Sequence, residues 1–160
     1  MAVITWTDSL LLQIPQMDQT HREFVDLLCA VEAALGGDPA VLAARYAEFV
    51  NHTQAHFEQE ERWMAAIGFD AANCHAFQHS HVLQVLRKVQ LRLEDEADVA
   101  MVGALVQELA AWLPEHAHSM DEALADTMRA RGYDPATGVL ARPLPADAPA
   151  MTGCGGGSCS

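Results

Sequence analysis

The chain has 160 residues, of which 22 are acidic and nine are basic, giving a formal net charge of −13. Apolar residues make up 51% of the sequence, which is enough to bury the core of one domain and excludes a disordered chain. The negative charge and the lack of a Lys/Arg cluster exclude nucleic acid and anionic membranes as expected partners.

Export and membrane insertion are not predicted. The N-terminal segment lacks the basic start of a signal peptide, and no run of roughly 18 apolar residues could span a bilayer. We therefore expect a soluble, cytoplasmic protein. Of the four cysteines, Cys29 and Cys74 fall in predicted helices, whereas Cys154 and Cys159 lie in a glycine-rich end. This distribution does not predict a disulfide framework.

Caps and apolar residues at spacings of three and four mark the first two helices. Residues 1–17 precede them and are expected to lie extended across the fold. Asp18 predicts the N-cap of the first helix, which ends at Gly36. Asp38 caps the second helix, which has a proline at its first position and ends at Gly68. Each helix should present one apolar stripe to a common core.

The third and fourth helices follow the same pattern. Asp70 predicts the N-cap of the third helix, whose regular apolar stripe runs to the acidic residues 94–96. The fourth helix begins near Asp98 and continues to about Arg131, and Pro114 is expected to kink it or open it locally. Four helices with short connections predict an all-α fold, an antiparallel up-down-up-down four-helix bundle.

Composition divides the chain near residue 133. We expect one domain over residues 1–133 and a flexible, Pro/Gly-rich C-terminal tail over residues 134–160. Within the tail, the Cys154-x4-Cys159 spacing leaves metal binding, a transient disulfide and a tether to a partner open, beside a simple flexible end.

Side chains of the kinds that bind metals interrupt the apolar stripes. One histidine in such a stripe is more often a core residue than a ligand, but here histidine or glutamate enters the stripe on all four helices. These residues are His21 on the first helix, His56 and Glu60 on the second, His75 and His79 on the third, and His116 on the fourth. Imidazoles with carboxylates favour iron, copper, zinc or manganese. Together with Asp121, which the motifs described next add, five histidines and two carboxylates exceed what one ion accepts, which favours two bridged ions.

Five short motifs occur in order along the chain. They are Trp6; Asp18-x2-His21; His56-Phe57-x2-Glu60-Glu61-x2-Met64; His75-x3-His79; and Trp112-x3-His116-x4-Asp121. With these motifs the sequence resembles the bacterial haemerythrin (bacteriohemerythrin) family over residues 3–131. The resemblance implies the same four-helix bundle and a non-haem diiron centre.

The resemblance also implies a role for each site residue. Two iron ions, Fe2+ or Fe3+, would be linked by a bridging oxo or hydroxo group. One iron would be bound by His75, His79 and His116, the other by His21 and His56, and both would be bridged by Glu60 and Asp121. In that family dioxygen binds reversibly at the vacant position of the two-histidine iron. The chain is therefore expected to be an oxygen carrier, store or local supplier, and not an enzyme.

Spacing alone does not select Asp121. It lies five residues after His116, which rotates it by about 140° around a regular helix, whereas His118 and Glu122 form the better i,i+4 pair. The match of Trp112 and His116 to the family motif selects Asp121 over His118 and Glu122. His81 and His118 are expected at the surface, and His52 is expected either to line the pocket or to be partly exposed. The site is expected to have an apolar lining of Phe24, Phe49, Phe57, Leu105 and Leu109.

Other functions remain open at this point. An oxygen-activating diiron enzyme would need two Glu-x-x-His motifs, of which only Glu115-x-x-His118 is present. Sensing of oxygen or nitric oxide would need an output domain or a separate partner, and the chain ends in a short tail. Iron donation for the repair of damaged iron centres is compatible with the same residues. We expect a monomer, and the sequence does not identify a protein recipient.

Overall fold

In the computed structural model, which describes residues 2–153, five helices and a small hairpin follow one another along the chain. After a short 3-10 turn at Asp8–Leu10, they are α1 (Pro15–Ala34), α2 (Pro39–Ala66), α3 (Cys74–Glu96), α4 (Val99–His116), a π-helical turn (Ala117–Asp121), α5 (Glu122–Arg131), β1 (Tyr133–Asp134) and β2 (Val139–Leu140). α1 contacts α2 and α4, and α3 contacts the same two helices. The predicted all-α four-helix bundle is confirmed, with α4, the π turn and α5 together forming its fourth member.

The start of α1 differs from the prediction. Asp18 is not the N-cap, because Pro15 already occupies the first helical position and the Asp18 amide donates to the carbonyl of Ile14. The Asp18 carboxylate is buried and accepts a hydrogen bond of 2.7 Å from the amide of Leu12. It therefore fastens the N-terminal arm to the bundle. In the arm, the Val3 amide donates to Glu32 on α1.

Of the predicted N-caps of α2 and α3, only that of α2 is confirmed. The Asp38 carboxylate accepts a hydrogen bond from the amide of Ala40, so its predicted role at the start of α2 is confirmed. Asp70 is not the cap of α3. That role belongs to Asn73, whose side chain accepts from the amide of Ala76, while Asp70 lies in the preceding turn. Either side chain can cap a helix, so composition did not distinguish them.

The expected irregularity of the fourth helix lies just after Pro114. Pro114 remains inside α4, although it leaves the carbonyl of Ala110 without its usual amide donor. From Ala117 the backbone pairs five residues apart, and the amide of Glu122 donates to the carbonyl of Ala117. A π turn of this kind inserts one extra residue into a helix. It changes which later side chains face the interior.

Two apolar clusters fill the bundle, one on each side of a polar layer. On α1, His21 lies between Met17 of one cluster and Phe24 of the other. On α2, Glu60 likewise lies between Phe57 and Met64. The polar residues are thus enclosed along the bundle axis by packed side chains. Among residues 2–153, no helix is long and apolar enough to cross a membrane.

The C-terminal segment returns to the bundle after α5. β1 and β2 pair antiparallel, and farther along the amide of Met151 donates to the carbonyl of Gly68 while its own carbonyl accepts from Asp70. The carbonyl of Thr152 accepts from the amide of Cys74. The expected flexible tail did not include these contacts. Residues 154–160, with Cys154 and Cys159, lie outside the described residues, and the domain division remains a prediction.

Candidate metal centre

The seven residues singled out in the sequence meet in the polar layer of the bundle. His21 comes from α1, two residues from α2, two from α3, and the last two from the end of α4 and the π turn. They are all buried, and the most exposed of them retains 4% of its surface: His21, His56, Glu60, His75, His79, His116 and Asp121. Side chains of this polarity are rarely buried together without a common ligand.

The seven residues form two groups whose ligand-type atoms lie within 4.8 Å of one another. One group contains Glu60, His75, His79, His116 and Asp121, and the other contains His21, His56 and Glu60. Three imidazoles thus belong to one group and two to the other. Glu60 is a member of both.

On the three-histidine side, the Nε2 atoms converge on one oxygen of each carboxylate. His75 Nε2 lies 3.3 Å from Glu60 Oε2 and 3.0 Å from Asp121 Oδ1. His79 Nε2 lies 3.3 Å from the same Glu60 oxygen, and His116 Nε2 lies 3.2 Å from the same Asp121 oxygen. Five ligand-type atoms from four elements therefore lie close to one another.

The two-histidine side uses the other oxygen of each carboxylate. His56 Nε2 lies 2.9 Å from Glu60 Oε1, and His21 Nε2 lies 3.2 Å from Asp121 Oδ2. Each carboxylate therefore has one oxygen near the three-histidine side of the cluster and the other near the two-histidine side. This is the arrangement in which a carboxylate can bridge two cations.

The π turn explains how Asp121 joins the cluster. In a regular helix its position would be rotated by about 140° from that of His116. Because the backbone hydrogen bonds in the π turn join residues five apart, the side chains of His116 and Asp121 lie on the same face of the helix. His116 Nε2 comes within 3.2 Å of Asp121 Oδ1. His118 and Glu122, the better pair by α-helical spacing, are both exposed.

Several carboxylate oxygens of the cluster lack hydrogen bonds. Glu60 Oε2 and both oxygens of Asp121 are buried and accept no hydrogen bond of acceptable geometry, although imidazole nitrogens lie within 3.3 Å. A buried polar atom without a partner costs on the order of 1–3 kcal/mol. Cations between the nitrogens and oxygens would satisfy these atoms, so the residues fit a metal centre.

Both carboxylates are held in the ionised form that metal binding requires. Burial and the charge of Asp121 raise the pKa of Glu60, but His56 and His75 outweigh them and hold it well below 4.5. Burial also raises the pKa of Asp121, and the neighbouring His116, His21 and His75 lower it well below 3.8. The interior thus carries two negative charges suited to cations.

The pKa values of three imidazoles in the cluster shift in different directions. Burial outweighs Glu60 at His56 and Asp121 at His116, so the pKa of each is lowered from 6.5 and each ring is favoured in its neutral form. Burial also lowers the pKa of His21, but Asp121 and Glu60 outweigh it and the net shift is upward. A neutral imidazole has the free lone pair that a metal requires.

Outer contacts fix the orientation of two rings. Gln78 Oε1 lies 2.8 Å from His116 Nδ1, which makes Nδ1 the donor and leaves Nε2 directed at the cluster without a proton. Trp112 stacks on the His116 ring, and Phe57 stacks on His79 with 3.9 Å between ring centroids. Nothing in the sequence marked Gln78 beyond its place beside His79.

The residues that were expected to line the site belong to the apolar core of the bundle. Phe24, Phe49, Phe57 and Leu109 are buried in one core cluster, and Leu105 packs against it. His81 and His118 are exposed, as predicted. His52 is partly buried, and its Nε2 lies 3.0 Å from Glu23 Oε2 at the surface between α1 and α2.

The fold and the cluster define a class, namely four-helix bundles with a buried metal-binding site of histidines and carboxylates. The family described as the Hemerythrin HHE cation binding domain matches residues 12–127. The chain is also 35% identical over 134 residues to a bacteriohemerythrin of Ralstonia nicotianae, covering 84% of this chain and 95% of that protein. The chain therefore belongs to the haemerythrin family.

More distant relatives carry the same name. A bacteriohemerythrin of Stenotrophomonas maltophilia is 30% identical over 81% of this chain and 84% of its own length. One from Clostridium acetobutylicum is 22% identical over 78% of this chain and its entire length. No solved structure matches the chain.

Proposed function

We propose that the protein binds dioxygen reversibly at a centre of two iron ions held by the seven clustered residues. The observation that carries the proposal is the division of the carboxylate oxygens. Glu60 and Asp121 each direct one oxygen toward the side of the cluster that has three histidines and the other toward the side that has two. His75, His79 and His116 would hold one iron, His21 and His56 the other, with an oxo or hydroxo group completing the bridge.

The unequal number of imidazoles determines where a small ligand would bind. Two imidazoles and two carboxylate oxygens leave the His21 and His56 side with one protein ligand fewer than the opposite side. When bound, the iron pair would supply the electrons and the open coordination position that dioxygen needs. The protein residues would therefore leave a coordination position for the ligand on the His21 and His56 side and occupy that position on the opposite side.

The interior favours a small neutral ligand. Phe24 and Phe49 are almost completely buried and lie 4.9 Å apart in an edge-to-face arrangement on α1 and α2, the helices that carry His21 and His56. An apolar lining excludes water and anions but admits a neutral gas. Exclusion of water would slow irreversible oxidation of the centre.

The ligand set favours binding of oxygen over its activation. An imidazole carries no charge as a metal ligand and donates less charge than a carboxylate would, so five imidazoles stabilise highly oxidised iron poorly. Glu115 and His118, the one Glu-x-x-His pair in the sequence, are both exposed and take no part in the cluster. We therefore propose a carrier, store or local supplier of oxygen and not an enzyme. Its cytoplasmic location and monomeric state stay predictions.

The test is iron content together with visible spectra of the anaerobically reduced protein before oxygen, after oxygen and after its removal. We expect two irons per chain and an absorption band that appears with oxygen and disappears without it. Irreversible oxidation would contradict the proposal and favour an enzyme. Uptake of nitric oxide without uptake of oxygen would contradict it in favour of nitric oxide handling.

A further inference from the structure

One nitrogen of His79 faces away from the cluster and forms no hydrogen bond. The other, Nε2, lies 3.3 Å from both Glu60 Oε2 and His116 Nε2 and therefore faces the cluster. Nδ1, on the outer side of the ring, is buried and has no hydrogen-bond partner of acceptable geometry. His79 retains 0% of its surface, so bulk water does not provide a partner either.

Metal binding through Nε2 would place the proton of the ring on Nδ1. A neutral imidazole has one nitrogen with a free lone pair and one that carries a proton. If Nε2 supplies the lone pair, Nδ1 becomes a buried donor, which costs on the order of 1–3 kcal/mol without an acceptor. His116 meets the same requirement through Gln78 Oε1. His79 needs an acceptor of its own.

Glu61 is the charged residue beside this nitrogen. Its Oε1 lies 3.5 Å from His79 Nδ1. Glu61 directly follows Glu60 on α2, so it is rotated by about 100° around the helix and approaches α3 from outside the cluster. The distance is about 0.3 Å longer than an ordinary N–H···O hydrogen bond. A small movement of the carboxylate would therefore complete the bond.

The carboxylate has room for that movement, whereas the ring does not. The side chain of Glu61 is 45% exposed and lines a surface cavity of about 290 Å³ together with Met64 and Asn73. The His79 ring is stacked on Phe57 with 3.9 Å between centroids and 4° between the ring planes. Stacking fixes the plane of the ring but does not determine which nitrogen carries the proton.

We propose that Glu61 is a positioning residue of the metal centre, whose carboxylate accepts the Nδ1 proton of His79 and keeps Nε2 free to bind metal. The inference rests on the proposed function, in which His79 is a ligand. A hydrogen bond to a carboxylate is roughly twice as strong as one to an uncharged amide, and it makes the imidazole a stronger ligand. Glu61 thus strengthens His79 more than Gln78 strengthens His116.

The zinc affinity of variants of the full-length chain tests the assignment. Zinc has no redox chemistry, so competition with a chelator measures the ligands without involving oxygen. Glu61→Leu should bind zinc roughly 10- to 100-fold more weakly than the parent chain, the usual effect of losing such a partner. Glu61→Gln should lie between the two, because it keeps an acceptor oxygen but loses the charge.

Glu58→Leu is the matched control, because Glu58 is exposed on the same helix, and it should bind zinc as the parent chain does. Circular dichroism checks that all variants are folded. Equal zinc affinity of the parent chain and Glu61→Leu would overturn the assignment.

The ring proton of His79 provides a readout that a merely structural role would not change. In NMR spectra of the zinc-loaded parent chain, we expect a proton on Nδ1 that is deshielded by the carboxylate. In Glu61→Leu its resonance should move upfield, while that of His116 Nδ1, which donates to Gln78, stays in place. A proton on Nε2 of His79, or an unmoved Nδ1 resonance, would refute the positioning role.

The same zinc measurements separate this inference from the proposed function. A chain that binds zinc with these variant effects but does not bind oxygen would contradict the proposed function alone. A parent chain that takes up no zinc would contradict the metal centre and the role of Glu61 together.

Discussion

The two oxygens of Glu60 have different neighbours. Oε1 lies 2.9 Å from His56 Nε2, whereas Oε2 lies 3.3 Å from the Nε2 atoms of both His75 and His79. An amide of the same shape would keep one acceptor oxygen and replace the other with a donor. The charge and the second acceptor would be lost together, although the packing would hardly change.

Glu60→Gln should therefore reduce metal binding while leaving the fold intact. We expect fewer than two metal ions per chain after loading with ferrous iron, since one side of the layer loses a carboxylate oxygen. Elemental analysis with circular dichroism measures both properties. Glu58→Gln is the matched control, because Glu58 is exposed on the same helix and its replacement should retain the full metal content. Equal content in both variants would contradict a bridging role.

Gln78 acts on the cluster through the proton of His116. Replacing it with methionine removes the acceptor 2.8 Å from Nδ1 and should lower metal affinity roughly 10- to 100-fold, the usual effect of losing such a partner. Competition with a chelator measures the affinity. Gln84→Met serves as the control, because Gln84 is exposed on the same helix. If both variants bind metal equally, the hydrogen bond does not orient the ring.

At the scale of the elements, the π turn decides which acidic residue enters the site. Its one extra residue places Asp121 over His116. The exposed Ser119 lies inside the turn and donates its hydroxyl hydrogen to the carbonyl of Glu115. Shortening the turn by one residue would restore an ordinary α-helix. His116 and the aspartate would then be four residues apart, with an angular offset of about 40° around the helix.

Deleting Ser119 should therefore preserve metal binding, whereas inserting an alanine beside it should abolish the contribution of Asp121. The deletion keeps the carboxylate on the face of His116, and the insertion rotates it away. Metal content per chain after loading distinguishes the two variants. A deletion variant that loses as much metal as the insertion variant would show that the π geometry itself is required.

The helices and most of the site could be predicted because their signals are local. Histidines at spacings of four share a helix face under any packing, and this placed His75 beside His79. Asp121 needed the family register, since α-helical geometry favours His118 and Glu122. The cap at Asp18 was predicted wrongly because Pro15 starts the helix three residues earlier. The contacts of Met151 are nonlocal, and no pattern in the sequence indicates them.

At the scale of the whole molecule, a buried tyrosine joins the second and third helices. The Tyr46 hydroxyl donates to the carbonyl of Leu86 over 2.9 Å, and the residue retains 1% of its surface. Burial raises the pKa of this hydroxyl well above its usual value of 10.0. In the unfolded chain the hydroxyl ionises near its usual value, so the folded state binds the proton more tightly.

The contribution of Tyr46 to stability is thus fully present below about pH 10 and is lost as the pH rises above it. Tyr46→Phe should lower the free energy of unfolding at pH 7 by about 1 kcal/mol and flatten its decline above pH 10. Urea unfolding at several pH values measures both effects. Tyr133→Phe provides the control, because Tyr133 is a half-buried residue of β1. If the free energy of unfolding of Tyr46→Phe declines above pH 10 as steeply as that of the parent chain, the decline is caused by other groups.

The cluster draws its side chains from all members of the bundle, and this has a consequence for the lifetime of a bound ion. An ion enclosed between two packed layers can leave only when at least one helix separates from its neighbours, an opening of the kind that hydrogen exchange detects. The residence time of the metal would then be set by helix separation and not by the strength of any one bond. Loss of a bound metal ion should accordingly rise as steeply with temperature as the unfolding rate of the protein does.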